Sequence, residues 1–430
     1  MQRYENRLLA MLFVTNGLLF FDRLAINFLT PYLHAEFNLS GLQIGALTSA
    51  LSLTWATSGI VVSRLADRHA IKKLVLVVAI VVFSVSSVSS GLAAGFLSLL
   101  VARCVMGVAE GPVLPVVQTL MMVESTPRRR GFNMGFIQAV AAGVFGSLLG
   151  PALIIPLAHT HGWRTAFYLT GIPGLILALV LWRFVNEPSL TRVASALHRV
   201  DDAEAEVKAK TKTKTIRPLA NRNVMICAAM ACLFLTTFYS VMVFGPLHLM
   251  AGRGYTDGQM SGFMIALGAA AVVGGALMPA LSDRLGRKPT LLIGFLLASS
   301  APAVVAFVQA DFTILCVGIF VAWLGMGVMP VMLATVPAES VEGVYANRAI
   351  GWVIGISEVI GGCVSPVLCG AAADKYGASA PFVVGIISAV LAALLVTGLR
   401  ETAPGRVARA AARSSTPDDE QAPSTVSTIS

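Results

Sequence analysis

Long apolar runs alternate with short polar breaks from residue 8 to residue 399. The runs cover 8–33, 43–63, 74–94, 97–122, 131–158, 165–185, 223–250, 258–281, 290–309, 313–336, 349–373 and 381–399. Each is long enough to cross about 30 Å of hydrocarbon as an α-helix, whose backbone N–H and C=O groups are satisfied within the segment. A β-barrel needs short alternating strands, and these runs are continuous. The pattern predicts an all-α membrane protein with twelve transmembrane helices. The first run contains Asp22-Arg23 and lacks a small-residue cleavage site, so it reads as a retained helix and not a signal peptide.

One break is long. Residues 186–222 carry Asp201, Asp202, Glu204 and Glu206, then Lys208, Lys210, Lys212 and Lys214, and read as a partly helical cytoplasmic linker. It separates an N-terminal six-helix bundle, 1–185, from a C-terminal one, 223–399. The Ser/Thr/Pro/Ala-rich segment 400–430 reads as a disordered cytoplasmic tail. The halves repeat. Glu124-Ser125, Gly150-Pro151, Pro115 and Phe167 recur 215 residues on as Glu339-Ser340, Ser365-Pro366, Pro330 and Phe382, and Asp67-Arg68 recurs 216 on as Asp283-Arg284. Two copies of a six-helix unit in the same orientation imply a pseudo-two-fold axis, with a solute site between the halves near the bilayer midplane.

Composition agrees: 56% of residues are hydrophobic, 12% are charged, and mean hydropathy is +0.78. The net charge of +9 is a topology signal. Of 31 Lys/Arg, three (Arg164, Arg253, Lys375) fall on one side and two (Arg23, Arg103) inside helices, which leaves 26 on the other side. The positive-inside rule makes that side cytoplasmic, with both termini, and removes the case for nucleic acid. The six cysteines (Cys104, Cys227, Cys232, Cys316, Cys363, Cys369) lie in helices without a CxxC pair, so they read as packing groups and no metal site is expected.

The break after the eighth run reads Leu281-Ser282-Asp283-Arg284-Leu285-Gly286-Arg287-Lys288. This resembles the GxLxDRxGR[RK] loop of the major facilitator superfamily. The break after the second run, Ser63 to Lys73, is a degraded copy in which Ser63 and Ala70 stand where the family has Gly. The resemblance spans residues 8–400 and implies a transporter of two six-helix bundles that rock about a central cavity. It also implies that Asp67, Arg68, Asp283 and Arg284 belong to loops that clip one access state.

Five ionisable residues stand well inside the spans: Asp22 and Arg23 in the first, Arg103 and Glu110 in the fourth, Glu358 in the eleventh. A charge at a helix centre costs about 2.5–3.5 kcal/mol on insertion scales, so it marks function. Arg103 and Glu110, seven residues apart, share one helix face, whereas Asp22 and Arg23 diverge by about 100°. An arginine shared between a protein acid and an anionic solute would switch the proton on that acid. The DR pair together with R–x6–E, here Arg103 to Glu110 and continuing Gly111-Pro112, resembles the anion:cation symporter family within the superfamily. That resemblance implies Asp22 and Glu110 as the protonatable pair, Arg23 as the carboxylate-binding group, and Arg103 as the partner of Asp22. Their repeat partners at Arg103 and Glu110 are Gly318 and Gly325, so the charges are concentrated in the first half. Glu358, Gln138, Tyr239 and Trp352 are further candidate solute contacts, and His248 reads as interfacial.

The expected activity is import of a small organic anion by proton symport, with sodium the alternative ion, in a monomer of the inner membrane without a cofactor. A drug:proton antiporter would carry GPxxGG in its fifth helix, and this chain continues Gly150-Pro151 with Ala152-Leu153-Ile154-Ile155. An aromatic-acid:proton symporter would carry a second acid three residues after Asp22, where Ala25 stands. The chain has no HExxH, GxSxG or phosphate-binding loop, which argues against an enzyme or an ATP-driven pump.

Overall fold

The computed structural model describes residues 2–69, 71–126, 129–188, 221–342, 345–403 and 406. The expected linker and tail fall mostly outside these residues. Eleven helical stretches are long and apolar enough to cross a membrane. One of them, Phe132–Phe184, is broken at Gly162, whose φ of 83° belongs to the left-handed region that glycine tolerates. Counting both parts gives twelve helices among the described residues: α1 Gln2–Phe37, α2 Gly41–His69, α3 Lys72–Gly91, α4 Phe96–Glu124, α5 132–161, α6 163–184, α7 Arg222–Gly252, α8 Asp257–Leu285, α9 Arg287–Phe307, α10 Phe312–Glu339, α11 Arg348–Tyr376 and α12 Ala380–Thr397. The break at Gly162 falls where the apolar pattern paused, between 158 and 165.

The helices form two bundles of six. Large apolar side chains such as Val61, Ile176 and Leu179 point outward, over 50% exposed, on the surface that lipid would cover. Inside, small residues let helices approach closely. A Cβ at Gly107 would lie 2.5 Å from the carbonyl oxygen of Leu51, so α4 can press against α2 only with glycine there.

The repeat is physical as well as textual. At the end where the basic loops lie, Glu187 just past α6 accepts hydrogen bonds from the backbone N–H groups of Lys72 and Lys73, each at 2.7 Å, and so caps α3. Just past α12, Glu401 caps α9 in the same way, accepting from Arg287 N at 2.8 Å and Lys288 N at 3.1 Å. A carboxylate there satisfies orphan donors and meets the positive end of the helix dipole. The neighbouring ion pairs centre on Arg287, which reaches Asp283 at 2.5 Å and Glu339 at 2.7 Å. Arg284, expected to share the clip, is exposed instead, as is Arg68. The pairing arginine is Arg287, which begins α9 just past the left-handed turn at Gly286 and so reaches back to Asp283 near the end of α8. The Asp67 side chain lies outside the described residues.

Beside the central cavity, Tyr239 of α7 meets Arg23 of α1 and Ser52 of α2 across the halves; the other polar links between the halves, among the described residues, lie at the opposite end. Asp374 of α11 accepts from the N–H groups of Gly41 (2.6 Å) and Leu42 (2.8 Å) at the start of α2. Tyr32 of α1 donates to Asp257 of α8, and His159 of α5 stands 3.4 Å from the same carboxylate. Ser261 donates to the Pro151 carbonyl at 3.1 Å. None of these described links lies at the end of the basic loops.

The Glu401 cap yields a pH-dependent expectation. Burial pushes its carboxyl up, but backbone N–H groups of Ala403, Arg287, Lys288 and Thr402 pull it below the usual value. A depressed folded pKa contributes stability above the unfolded pKa of about 4.3 and loses it as pH falls through the lower folded value. Glu401→Gln is expected to cost about 0.5–2 kcal/mol at pH 7, the range for a helix cap. In thermal unfolding of the detergent-purified protein, the gap from wild type should close below about pH 4.

Candidate functional site

Asp22 and Arg23 sit midway along α1, and helix geometry sends them to different places. Asp22 is fully buried inside the first bundle, where it accepts a hydrogen bond from Ser87 of α3. The Ser87 hydroxyl in turn pairs with Thr170 of α6 at 2.6 Å. Arg23 turns to the space between the halves. Its guanidinium lies over the indole of Trp55, 5.0 Å from the ring centroid. Trp55 belongs to α2, held against α4 because a Cβ on Gly111 would collide with the Trp55 carbonyl.

Arg103 and Glu110 project from one face of α4, and both are fully buried. Arg103 donates to the Met106 sulfur at 3.4 Å and lies 5.9 Å from the Phe167 ring centroid, while its Nε and Nη2 have no partner. Both carboxyl oxygens of Glu110 lack a partner, as does Asp22 Oδ2. The expected direct pair between Arg103 and Asp22 is not formed: Ser87 occupies the carboxylate, and the arginine rests on sulfur and an aromatic face. The two remain electrostatic neighbours, together with Glu110 and Arg23. A buried charge without a partner is costly, so these four residues are bound to one another by charge even without contact.

A cavity of about 290 Å³ lies between the halves. Arg23, Arg103 and Gln138 line its first-half wall; Tyr239, Ser357 and Glu358 line the other. Gln138 also accepts from Gln118 at 3.2 Å. Glu358 sits in a π-helical stretch, Ser357–Gly362, of the kind often found at functional positions. Its Oε2 is buried without a partner. Phe20, Trp55, Phe234 and Phe238 give the cavity an aromatic surface. Asp22 and Glu110 are not on the wall but directly behind it. A larger cleft of about 880 Å³ between α3 and α4 is lined by Val81, Val85, Leu97, Val101 and similar residues and contains no ionisable group. It is an outer groove, remote from the charges.

Trp352 is the candidate that fails. It is 49% exposed and does not line the cavity, where α11 presents Ile354, Ser357 and Glu358. Two residues along a helix turn a side chain by about 200°, so a helix that shows position 354 points 352 away. Trp55 was missed by sequence reasoning, although a tryptophan in a span beside small residues (Thr54, Ser58, Gly59) is a legible signal. His248 packs edge-on against Phe382, 5.0 Å between centroids. In the second half, Gly325 stands where Glu110 stands in the first. A Cβ there would come 2.6 Å from Ala298 N, so that repeat has exchanged a carboxylate for close helix packing.

Chemically, two guanidiniums on one wall offer fixed positive charge and N–H donors of the kind that suit a planar anion, with two carboxyls behind them. Residues 12–280 and 268–427 match the family model for the Major Facilitator Superfamily. The chain is 24% identical to a hexuronate transporter of Bacillus subtilis, covering 90% of this chain and 92% of the relative. It is 27% identical to a cis,cis-muconate transport protein of Acinetobacter baylyi, covering 84% and 86% respectively. Its fold is similar to that of a D-xylose-proton symporter, with TM-score 0.73, 17% identity, and 92% of this chain and 98% of that one covered.

Proposed function

The chain belongs to the Major Facilitator Superfamily, a multi-pass membrane transporter, and from that premise we propose that it imports a small organic anion together with protons. The observation that carries this reading is the pair of guanidiniums, Arg23 and the fully buried Arg103, on the wall of a cavity backed by the buried Asp22 and Glu110. Guanidiniums keep their protons at any physiological pH, so only negative charge can answer them. Either a protein carboxylate does so, or a solute carboxylate does while the protein acid takes a proton. That exchange is the coupling. Relatives named for hexuronate and muconate, both carboxylates, support the solute class.

Sidedness follows from the basic loops. If they are cytoplasmic, the clasp of Asp374 on Gly41 and Leu42 closes the periplasmic end, and the cavity belongs to an inward-open state of an inner-membrane protein. The clip reading of the loop charges then attaches to Asp283, Arg287 and Glu339 at the cytoplasmic end, where these pairs form within one half. The aromatic surface of Phe20, Trp55, Phe234 and Phe238 supports a narrower version, in which the acid is planar or aromatic.

Proteoliposomes with an imposed pH gradient, acid outside, test the reading against labelled D-glucuronate, cis,cis-muconate and benzoate. Wild type is expected to accumulate at least one; accumulation of none of them would sink the proposal. Asp22→Asn and Glu110→Gln are expected to abolish gradient-driven accumulation and leave counterflow, which needs no net proton movement. Accumulation at the wild-type level in both variants would refute the proton assignment. Arg23→Ala removes a charge-assisted contact of about 1.5–3 kcal/mol and should raise the apparent KM about 10- to 150-fold. Trp55→Leu, which removes a cation–π contact of about 0.5–2 kcal/mol, should raise it about 2- to 30-fold.

A further inference from the structure

The central cavity offers a solute one accessible cation and one acid, on opposite walls. Arg23 of α1 supplies the half-buried guanidinium, and Glu358 of α11 the carboxyl. Arg103 stands on the same wall as Arg23, but it is fully buried and is answered by Asp22 and Glu110 behind that wall. Glu358 has no such company. The polar groups around it are Tyr239 of α7, Ser52 of α2 and Cys363 of its own helix, none of them a cation. No salt bridge joins it to Arg23 among the described residues, and its Oε2 is buried without a hydrogen-bond partner. The acid belongs to the second half alone, because the residue 215 positions earlier is Gly143.

Size makes both walls count. At about 290 Å³ the cavity lies at the lower end of the range for small-molecule sites, about 300–1,000 Å³. A solute whose carboxylate rests on Arg23 therefore has its other end against Tyr239 and Glu358. A carboxylate has only acceptors to offer. A hydroxyl at the far end of the solute donates to it. A second carboxylate there sets like charge against like charge, in a confined space with no cation beside Glu358 to intervene. Resting on the anion-symport reading above, we propose that Glu358 is a charge filter that admits monocarboxylates and rejects dicarboxylates. Specificity then comes from a repulsive element on one wall as much as from the attractive one on the other. Of the solutes named above, cis,cis-muconate falls on the rejected side.

Matched solutes test this. D-gluconate and D-glucarate differ only in one terminal group, hydroxymethyl against carboxylate; para-hydroxybenzoate and terephthalate differ only in the para substituent. Binding to the detergent-purified full chain is measured by isothermal titration at neutral pH, which needs no proton gradient. Wild type is expected to bind the monocarboxylate of at least one pair more tightly than its dicarboxylate, by about 10- to 100-fold. Glu358→Gln keeps the shape, removes the charge and adds an amide donor, so the ratio is expected to fall close to one through tighter dicarboxylate binding. Glu358→Asp keeps the charge and is expected to keep the preference. Because the readout is a ratio, a preparation with fewer folded molecules leaves it unmoved. Equal binding of both members of a pair by wild type overturns the filter, and so does undiminished discrimination by Glu358→Gln. A ratio that falls only through weaker monocarboxylate binding marks a plain contact and overturns it as well. Binding of none of the four by wild type removes the anion reading and the filter together. The expected discrimination in a protein whose proteoliposomes show no pH-driven uptake supports the filter and removes only the proton coupling.

Discussion

Everything in the centre of this molecule depends on guanidinium charge that cannot be switched off. Arg103 is fully buried, and Arg23 stands on the wall of the central cavity. Neither can discard its proton to escape the cost of low dielectric, as a buried lysine or carboxyl does. Their surroundings must therefore supply negative charge in every state. The structure answers with carboxylates placed near enough to be felt and not near enough to lock: Ser87 holds Asp22, and Glu110 has no hydrogen-bond partner. A tight salt bridge would satisfy the arginines permanently and leave no use for a solute.

The scaffold around this centre combines close helix packing with polar links. Close helix approaches through glycine, such as Gly107 and Gly111 against α2, fix the charged helices of the first half relative to one another. Between the halves, polar bonds add to close packing: a carboxylate on two backbone N–H groups, a tyrosine and a histidine sharing Asp257, and a serine-to-carbonyl bond. The Asp374 bonds are exposed, where water can replace them at modest cost, whereas the Ser261 bond is buried. At the other end the polar clusters of Glu187 and of Glu401, Arg287 and Glu339 each stay within a half. Glycine also brings the halves together on the side of Asp374, where a Cβ on Gly45 would lie 2.1 Å from the Pro366 carbonyl oxygen and one on Gly268 2.1 Å from that of Ser147.

The two halves share a plan and differ in chemistry. Glu187 and Glu401 cap α3 and α9 alike, so the repeat persists where it builds helix ends. It has been lost where charge matters. Gly325 packs against α9 in a space that could not hold the Glu110 side chain, and Gly143 stands where Glu358 stands in the other copy. Charge on the α4 wall and a single acid on the α11 wall give the cavity an electrical direction that a symmetric pair of bundles would not have.

The fold was legible because lipid leaves so little choice. An apolar run of sufficient length must be a helix, and basic loops must be sorted, so spans such as 43–63, 223–250 and 381–399 reappear within a few residues as Gly41–Ser63, Arg222–Gly252 and Ala380–Thr397. The buried ionisable residues were legible for the same reason, since charge in a span stands out against its neighbours. What one helix does to its own side chains was also determined by sequence: Asp22 and Arg23 diverge, and Arg103 and Glu110 share a face. Which groups meet across helices was decided only by tertiary structure. Ser87 rather than Arg103 holds Asp22, Trp55 lies under Arg23, Arg287 rather than Arg284 gathers the acids, and Trp352 turns from the cavity. Those outcomes depend on the rotation and depth at which separate helices pack, and periodicity along one helix carries no information about its neighbour.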